Sequence, residues 1–214
     1  MSKGKKNVIK SFTTVMVVLV FVSLVFLLIF NSVYIKSKVV GLSMYPTLND
    51  GKSAKDRVFI NKHEKGGVGD IVVADISKQS NWDHSLEGDY VVKRLVAVEG
   101  DRVEILKLGE SSYELRVNNK VLYTKEYGEL PASYIYFYSY LESHRGEEDR
   151  VENNSIILKE NEIFLIGDNW LSSYDCTSCG PVQKNSLVGR VDIVVPKDEN
   201  LVFGAIKGIF KQIF

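Results

Sequence analysis

The sequence predicts a mainly β protein: an N-terminal transmembrane helix followed by a β-rich partial barrel that carries a small inserted β subdomain. Two observations predict it. An uncharged apolar run, FTTVMVVLVFVSLVFLLIF at 12–30, is long enough to cross a bilayer as a helix, for which about 20 residues suffice. Behind it, short runs rich in β-branched and aromatic residues alternate with turn signals, and no long helical period appears among them.

The apolar run comes first. Thr13, Thr14 and Ser23 fit a membrane helix because their hydroxyls can bond back to helix carbonyls. A cleaved signal peptide would have a shorter apolar core and small residues at a cut site. Asn31-Ser32-Val33-Tyr34-Ile35 follows instead, with no small-x-small pattern. A buried core helix of this length would show a polar face. The reading is therefore an uncleaved anchor. Lys3, Lys5, Lys6 and Lys10 precede it, and Lys36 and Lys38 follow. The positive-inside rule then keeps the N-terminus in the cytoplasm and sends the chain after about Tyr34 outside.

The net charge of the 214 residues is +0, which argues against a nucleic-acid partner. All 27 acidic residues lie from Asp50 onward, so the basic front end stands apart from a mildly acidic body.

The expected strands are Arg57–Asn61, Asp70–Ala74, Tyr90–Val98, Arg102–Leu106, Tyr113–Val117, Ile156–Leu158, Glu162–Ile166 and Leu187–Val195. Gly66-Gly67, Gly69-Asp70, Gly100-Asp101 and Gly167-Asp168-Asn169 mark turns between them. Asn118-Asn119, between two short apolar runs, reads as a hairpin. The patch Glu147-Glu148-Asp149 reads as a solvated loop. The expected organisation is a cytoplasmic N-terminus (1–11), an anchor (12–33), a β core from 34–108 and 155–200, an inserted subdomain (109–154) and an amphipathic C-terminal segment (201–214). That last segment, LVFGAIKGIFKQIF, fits either a helix on a membrane surface or a helix packed on the domain.

Gly41-Leu42-Ser43-Met44-Tyr45-Pro46-Thr47-Leu48 sets a serine in a rigid loop about a dozen residues past the span. A serine becomes a nucleophile only beside a base. His63, His84 and His144 all sit in polar, loop-like surroundings, and the Gly-x-Ser-x-Gly elbow is absent. The other possible base is a lysine kept neutral by apolar surroundings. Lys93 has that setting, inside YVVKRLVAV at 90–98. An edge-strand lysine reaching out to water is the plainer reading of the same residue.

Four motifs decide between these readings. They are Ser-Met-x-Pro-Thr-Leu at 43–48, Gly-Asp-Ile-Val-Val at 69–73, Lys-Arg followed five residues later by Gly-Asp at 93–101, and Gly-Asp-Asn-x-x-x-Ser-x-Asp at 167–175. Their order behind an N-in anchor resembles the bacterial type I signal peptidases, in the Gram-positive-like form. The resemblance covers the anchor and nearly all of the outer domain.

It implies a plasma-membrane serine endopeptidase, single-pass, with an extracytoplasmic catalytic domain and a Ser–Lys dyad. Ser43 would attack the scissile carbonyl. Lys93 would be the general base, and Ser173 would orient that lysine. The Ser43 backbone N–H would donate to the oxyanion. Some family members add a serine hydroxyl at the position of Gly41, which here leaves a backbone donor or water. Asp168, Asn169 and Asp175 match supporting positions. The substrates implied are preproteins with small-x-small cleavage sites, bound as an added strand. Met44, Val91 and Val92 are candidate pocket walls or ordinary core. The implied partners are these preproteins and the lipid bilayer, and the mechanism calls for no cofactor or metal. A relative without full activity, serving as an assembly factor for surface proteins or pili, is the alternative.

The chain departs from the family pattern in two places. Trp170 stands where an arginine usually follows Gly-Asp-Asn, and Asp175-Cys176-Thr177 replaces Asp-Ser-Arg. Trp170 could dip into lipid. Cys176 and Cys179 could brace the loop as free thiols or as a disulfide, while half a zinc site lacks matching histidines. Asn153-Asn154-Ser155 fits a glycosylation sequon and carries little weight. The loop from Leu48 to Asp56 is longer than the common pattern.

Overall fold

The computed structural model describes residues 3–49, 55–108, 112–126, 132–146, 150–152 and 154–213. The patch Glu147-Glu148-Asp149, Asn153 of the sequon and the middle of the 48–56 loop lie outside the described residues. The chain divides into two compact units, one ending at Ile35 and the other starting at Lys36.

The first unit is built on helix α1 (Lys3–Val33). From Lys10 to Val33 it is long and apolar enough to cross a membrane. At about 1.5 Å per residue those 24 residues reach roughly 36 Å, against about 30 Å of bilayer hydrocarbon. Thr14 Oγ1 donates to the Lys10 carbonyl at 3.0 Å, and Ser23 Oγ to the Leu19 carbonyl at 2.9 Å. The hydroxyls are thus absorbed by the helix, as the sequence led one to expect.

In chain order the strands are β1 (Tyr34–Lys38), β2 (Arg57–Asn61), β3 (Ile71–Asp75), β4 (Tyr90–Val98), β5 (Arg102–Lys107), β6 (Ser112–Val117), β7 (Lys120–Glu126), β8 (Val151–Glu152), β9 (Ser155–Ile157), β10 (Glu162–Ile166), β11 (Val182–Gln183) and β12 (Leu187–Val195). The further helices are α2 (His84–Glu87), α3 (Ala132–Ser143), α4 (Cys176–Cys179) and α5 (Leu201–Ile213). Seven strands form one sheet in the order β1-β2-β12-β3-β4-β10-β11, and β2 through β11 pair antiparallel. Its register slips at Phe164/Leu165, Val191/Ile193 and Leu187/Gly189. Such irregularities add local twist and bend a sheet, which suits a partial barrel. A second antiparallel sheet has the order β7-β6-β5-β9-β8.

Local chemistry explains these elements. Asn118 and Asn119 both adopt positive φ, 50° and 65°, and Val117 pairs with Lys120 across them. Two left-handed residues match the twist of a two-residue hairpin, and asparagine tolerates that region. Helix α3 adds a helix to the segment that the sequence reads as a small inserted β subdomain. Its sequence ASYIYFYSYLES is rich in tyrosine, which reads as strand-forming. Phe137 and Leu141, one turn apart, are nevertheless buried together, and that shared face makes the segment a helix.

The larger core cluster joins Val72, Leu95 and Phe164 of the seven-stranded sheet to Ile105, Leu115 and Ile156 of the second, with Phe137 added from α3. A smaller cluster gathers Val39, Met44, Leu48, Val58, Ile60 and Val73. Helix α5 packs on β12. A Cβ on Gly204 would overlap Val195, and one on Gly208 would overlap Ile193. Two glycines one turn apart let the helix lie close on the strand. Val202, Phe203 and Ile206 stay exposed.

Candidate active site

The site is assembled from three stretches of chain: the loop 41–49, strand β4 and the loop after β10. The first loop turns tightly, with Tyr45 N–H donating to the Leu42 carbonyl at 3.0 Å and Leu48 N–H to the Met44 carbonyl at 2.9 Å. Its base is held by a residue that the sequence did not single out. Asn49, buried and in the left-handed region (φ 61°), donates from Nδ2 to the Gly41 carbonyl at 2.7 Å. It also exchanges hydrogen bonds with Asp56, from Asn49 N–H to Asp56 Oδ2 at 2.8 Å and from Asp56 N–H to Asn49 Oδ1 at 2.9 Å. Ser43 lies half-buried above this brace.

The loop after β10 clamps the other side. Asn169 N–H donates to the Ser43 carbonyl and Asn169 Nδ2 to the Leu42 carbonyl, both at 2.9 Å. Gly167 is where the parts meet. A Cβ there would overlap both the Ser43 carbonyl oxygen and the Ser173 side chain. Only glycine lets the two serine segments approach this closely.

Lys93 sits mid-strand in β4, opposite Val72 of β3, and is fully buried. Its Nζ donates to Ser173 Oγ at 3.2 Å. Ser173 Oγ in turn donates to Asp175 Oδ2 at 2.6 Å. Asp175, also buried, accepts from Gly167 N–H at 2.9 Å on the same oxygen. Its other oxygen accepts from Thr177 N–H at 3.0 Å and Thr177 Oγ1 at 2.7 Å. Asp175 thereby caps α4.

Asp168 has a different partner. Arg94 grips it with two bonds, Nε to Oδ1 at 2.8 Å and Nη2 to Oδ2 at 2.5 Å. Thr47 Oγ1 donates to Oδ2 at 2.5 Å. This carboxylate therefore ties the serine loop to β4. Arg94 was visible in the Lys-Arg motif, but no role was read for it.

A groove of about 490 Å³ opens beside Ser43. Residues 37–43 form one wall and Tyr90-Val91-Val92 the other, with Ile60, Val73 and Ser172 also lining it. Gly41 (φ 89°), Val91 and Val92 are thus groove residues, whereas Met44 is buried in the smaller core cluster outside the lining. Trp170 is half-buried. Cys176 and Cys179 are free and buried. Cys176 Sγ accepts from Leu165 N–H at 3.2 Å, and Cys179 Sγ donates to the Asp175 carbonyl at 3.0 Å. Burial pushes both thiols well above the ordinary thiol range, so neither is a ready nucleophile.

Three comparisons with known proteins bear on this arrangement. Residues 9–196 match the family described as signal peptidase, peptidase S26. The chain is 29% identical over 156 residues to thylakoidal processing peptidase 1, chloroplastic, of Arabidopsis thaliana, covering 69% of this chain and 38% of that protein. It is also 29% identical over 161 residues to signal peptidase I of Bacillus amyloliquefaciens, covering 72% of this chain and 69% of the relative. A crystal structure of a signal peptidase I from Enterococcus faecalis V583 aligns with 60% of this chain and 97% of its own, at 21% identity and a TM-score of 0.35. With the family match spanning most of its length, the chain belongs to the signal peptidase family, peptidase S26.

Proposed function

We propose that the chain is a membrane-bound serine endopeptidase that cleaves signal peptides from translocated preproteins with Ser43 as nucleophile and Lys93 as general base. One observation carries the reading. A fully buried lysine amine is hydrogen-bonded to Ser173, and Ser173 and Ser43 both close on the Cβ position of Gly167. A lysine so enclosed is not a solubilising surface charge.

In the proposed sequence, Ser43 Oγ adds to the scissile carbonyl and its proton passes to Lys93. The Ser43 backbone N–H donates to the developing oxyanion. Collapse breaks the C–N bond, and Lys93 returns a proton to the leaving amine. Water then attacks the acyl-enzyme with Lys93 taking its proton, and the ester C–O bond breaks as Lys93 hands that proton back to Ser43 Oγ. The groove between residues 37–43 and 90–92 suits an extended peptide laid alongside the strand. The two small side chains that precede the cut fit the walls made by Gly41, Val91 and Val92.

The anchor would be α1, with residues 1–11 in the cytoplasm, 12–33 in the plasma membrane and the catalytic β core (34–108 and 155–200) outside. Residues 109–154 would form the inserted subdomain and 201–214 the amphipathic tail. The implied partners are preproteins with small-x-small sites and the bilayer itself.

The test uses full-length protein in detergent and a preprotein with an Ala-x-Ala site. Wild type cleaves after that site, and Ser43→Ala and Lys93→Met each lose roughly 10²–10⁴-fold or more of the rate. Cleavage that survives in Lys93→Met rejects the dyad. No cleavage by wild type rejects the activity.

A further inference from the structure

We infer that Thr177 is a positioning residue for Lys93, acting through Asp175 and Ser173. The inference rests on the Ser43–Lys93 reading and adds to it a residue that touches neither group.

The argument follows the direction of each hydrogen bond. A serine hydroxyl has one proton to give. Ser173 gives it to Asp175 Oδ2 at 2.6 Å. Its oxygen can then only accept from Lys93 Nζ at 3.2 Å. An acceptor placed there fixes one N–H of Lys93 on Ser173. The polarity of this contact is therefore set by the carboxylate, not by the serine alone. Were Asp175 to turn away, the Ser173 hydroxyl could rotate and donate to the amine instead, occupying the lone pair a base needs.

What keeps Asp175 from turning is the far side of its carboxylate. Gly167 N–H shares Oδ2 with Ser173, so Oδ2 alone could swing about the pair. Oδ1 is fixed by both donors of Thr177, the N–H at 3.0 Å and Oγ1 at 2.7 Å. Thr177 is itself buried, so no water replaces its hydroxyl at full strength. The short helix α4 holds Thr177 in place, and Cys179 Sγ secures its first turn on the Asp175 carbonyl. Thr177, at a position where the resembled motif usually carries an arginine, thus braces the carboxylate. It does so with a neutral donor that fits inside the core.

Thr177→Val keeps the shape and removes only the hydroxyl, and Thr177→Ser restores it. In full-length protein, Thr177→Val lowers kcat about tenfold, the loss of one hydrogen bond to a charged group, with KM within twofold. Thr177→Ser returns kcat to within about threefold of wild type. In a Ser173→Ala background, Thr177→Val costs nothing further, because the relay is already cut. A second readout does not need cleavage. In protein labelled with ¹⁵N-lysine, the Lys93 Nζ resonance moves in Thr177→Val in the same direction as in Ser173→Ala, and it stays at the wild-type position in Thr177→Ser. Additive losses, an unchanged kcat in Thr177→Val, or an unmoved Lys93 resonance overturns the inference. If wild type does not cleave, the activity fails and the resonance alone decides the relay.

Discussion

Asp168 and Asp175 lie seven residues apart in one loop, both support the same site, and they are held by opposite means. Asp168 stands near the rim. Its side chain is 9% exposed, and its partner Arg94 is 25% exposed, so a charge meets a charge where water still reaches. Asp175 is 1% exposed and is held by Gly167, Ser173 and Thr177, whose donors are all neutral. The rim can use an ion pair because Arg94 is partly exposed and its Nη1 donates to the Gly69 carbonyl. In the interior neutral donors do the same work without a second buried ion, which would need its own set of partners. The difference teaches that the loop needs two carboxylates fixed, and that depth decides which chemistry fixes each.

The comparison can be broken by removing each acid. The largest effect belongs to Asp175→Ala. It strands the Gly167 N–H and the Ser173 and Thr177 hydroxyls inside the core and costs about 3–5 kcal/mol of stability, read by chemical denaturation in detergent. Asp168→Ala costs less, about 1–2 kcal/mol, because Arg94 can turn to solvent. Salt sharpens the contrast. Raising ionic strength narrows the gap between wild type and Asp168→Ala and leaves the Asp175→Ala gap unchanged. Equal salt responses would break the distinction between the two braces.

The smallest effect concerns the thiols behind Asp175. Desolvation holds both thiol pKa values above the ordinary 9.0 in the fold. Above pH 9 the unfolded chain alone releases these protons, so stability is complete below pH 9 and falls as pH rises beyond it. Cys176→Ala or Cys179→Ala flattens that decline. Iodoacetamide leaves native protein unlabelled at pH 8 and labels both cysteines after unfolding. Rapid labelling of native protein contradicts the burial.

Much of this was legible in the sequence, for reasons that also mark its limit. Strand β4 is legible as an apolar run on both sides of Lys93 and Asn118-Asn119 as a turn, because both signals are local. The loop 167–175 was recognisable as a motif. The insertion of β12 between β2 and β3 was not, because pairing across more than a hundred residues leaves no local trace. Helix α3 was hidden by tyrosines that favour strands. Asn49 and Arg94 do not stand out in the sequence as braces, because a brace is defined by what it reaches and sequence shows only what it is next to. Thr177 shows in the sequence only as a departure from the motif, and its bonds to Asp175 exist only in the fold.

The clamp on Ser43 has a consequence in time. Leu42 is held by Asn169, 127 residues later, and Lys93 by Ser173, 80 residues later. A ribosome adds residues in order, so the serine and the lysine exist well before the residues that set them. A chain halted at residue 160 would hold both proposed reactive groups and no Gly167, Ser173 or Asp175. Contacts of such long separation form late. On the proposed reading, proteolytic competence is therefore deferred until residues 167–175 have been made, and a shorter nascent chain has no means to cut its neighbours.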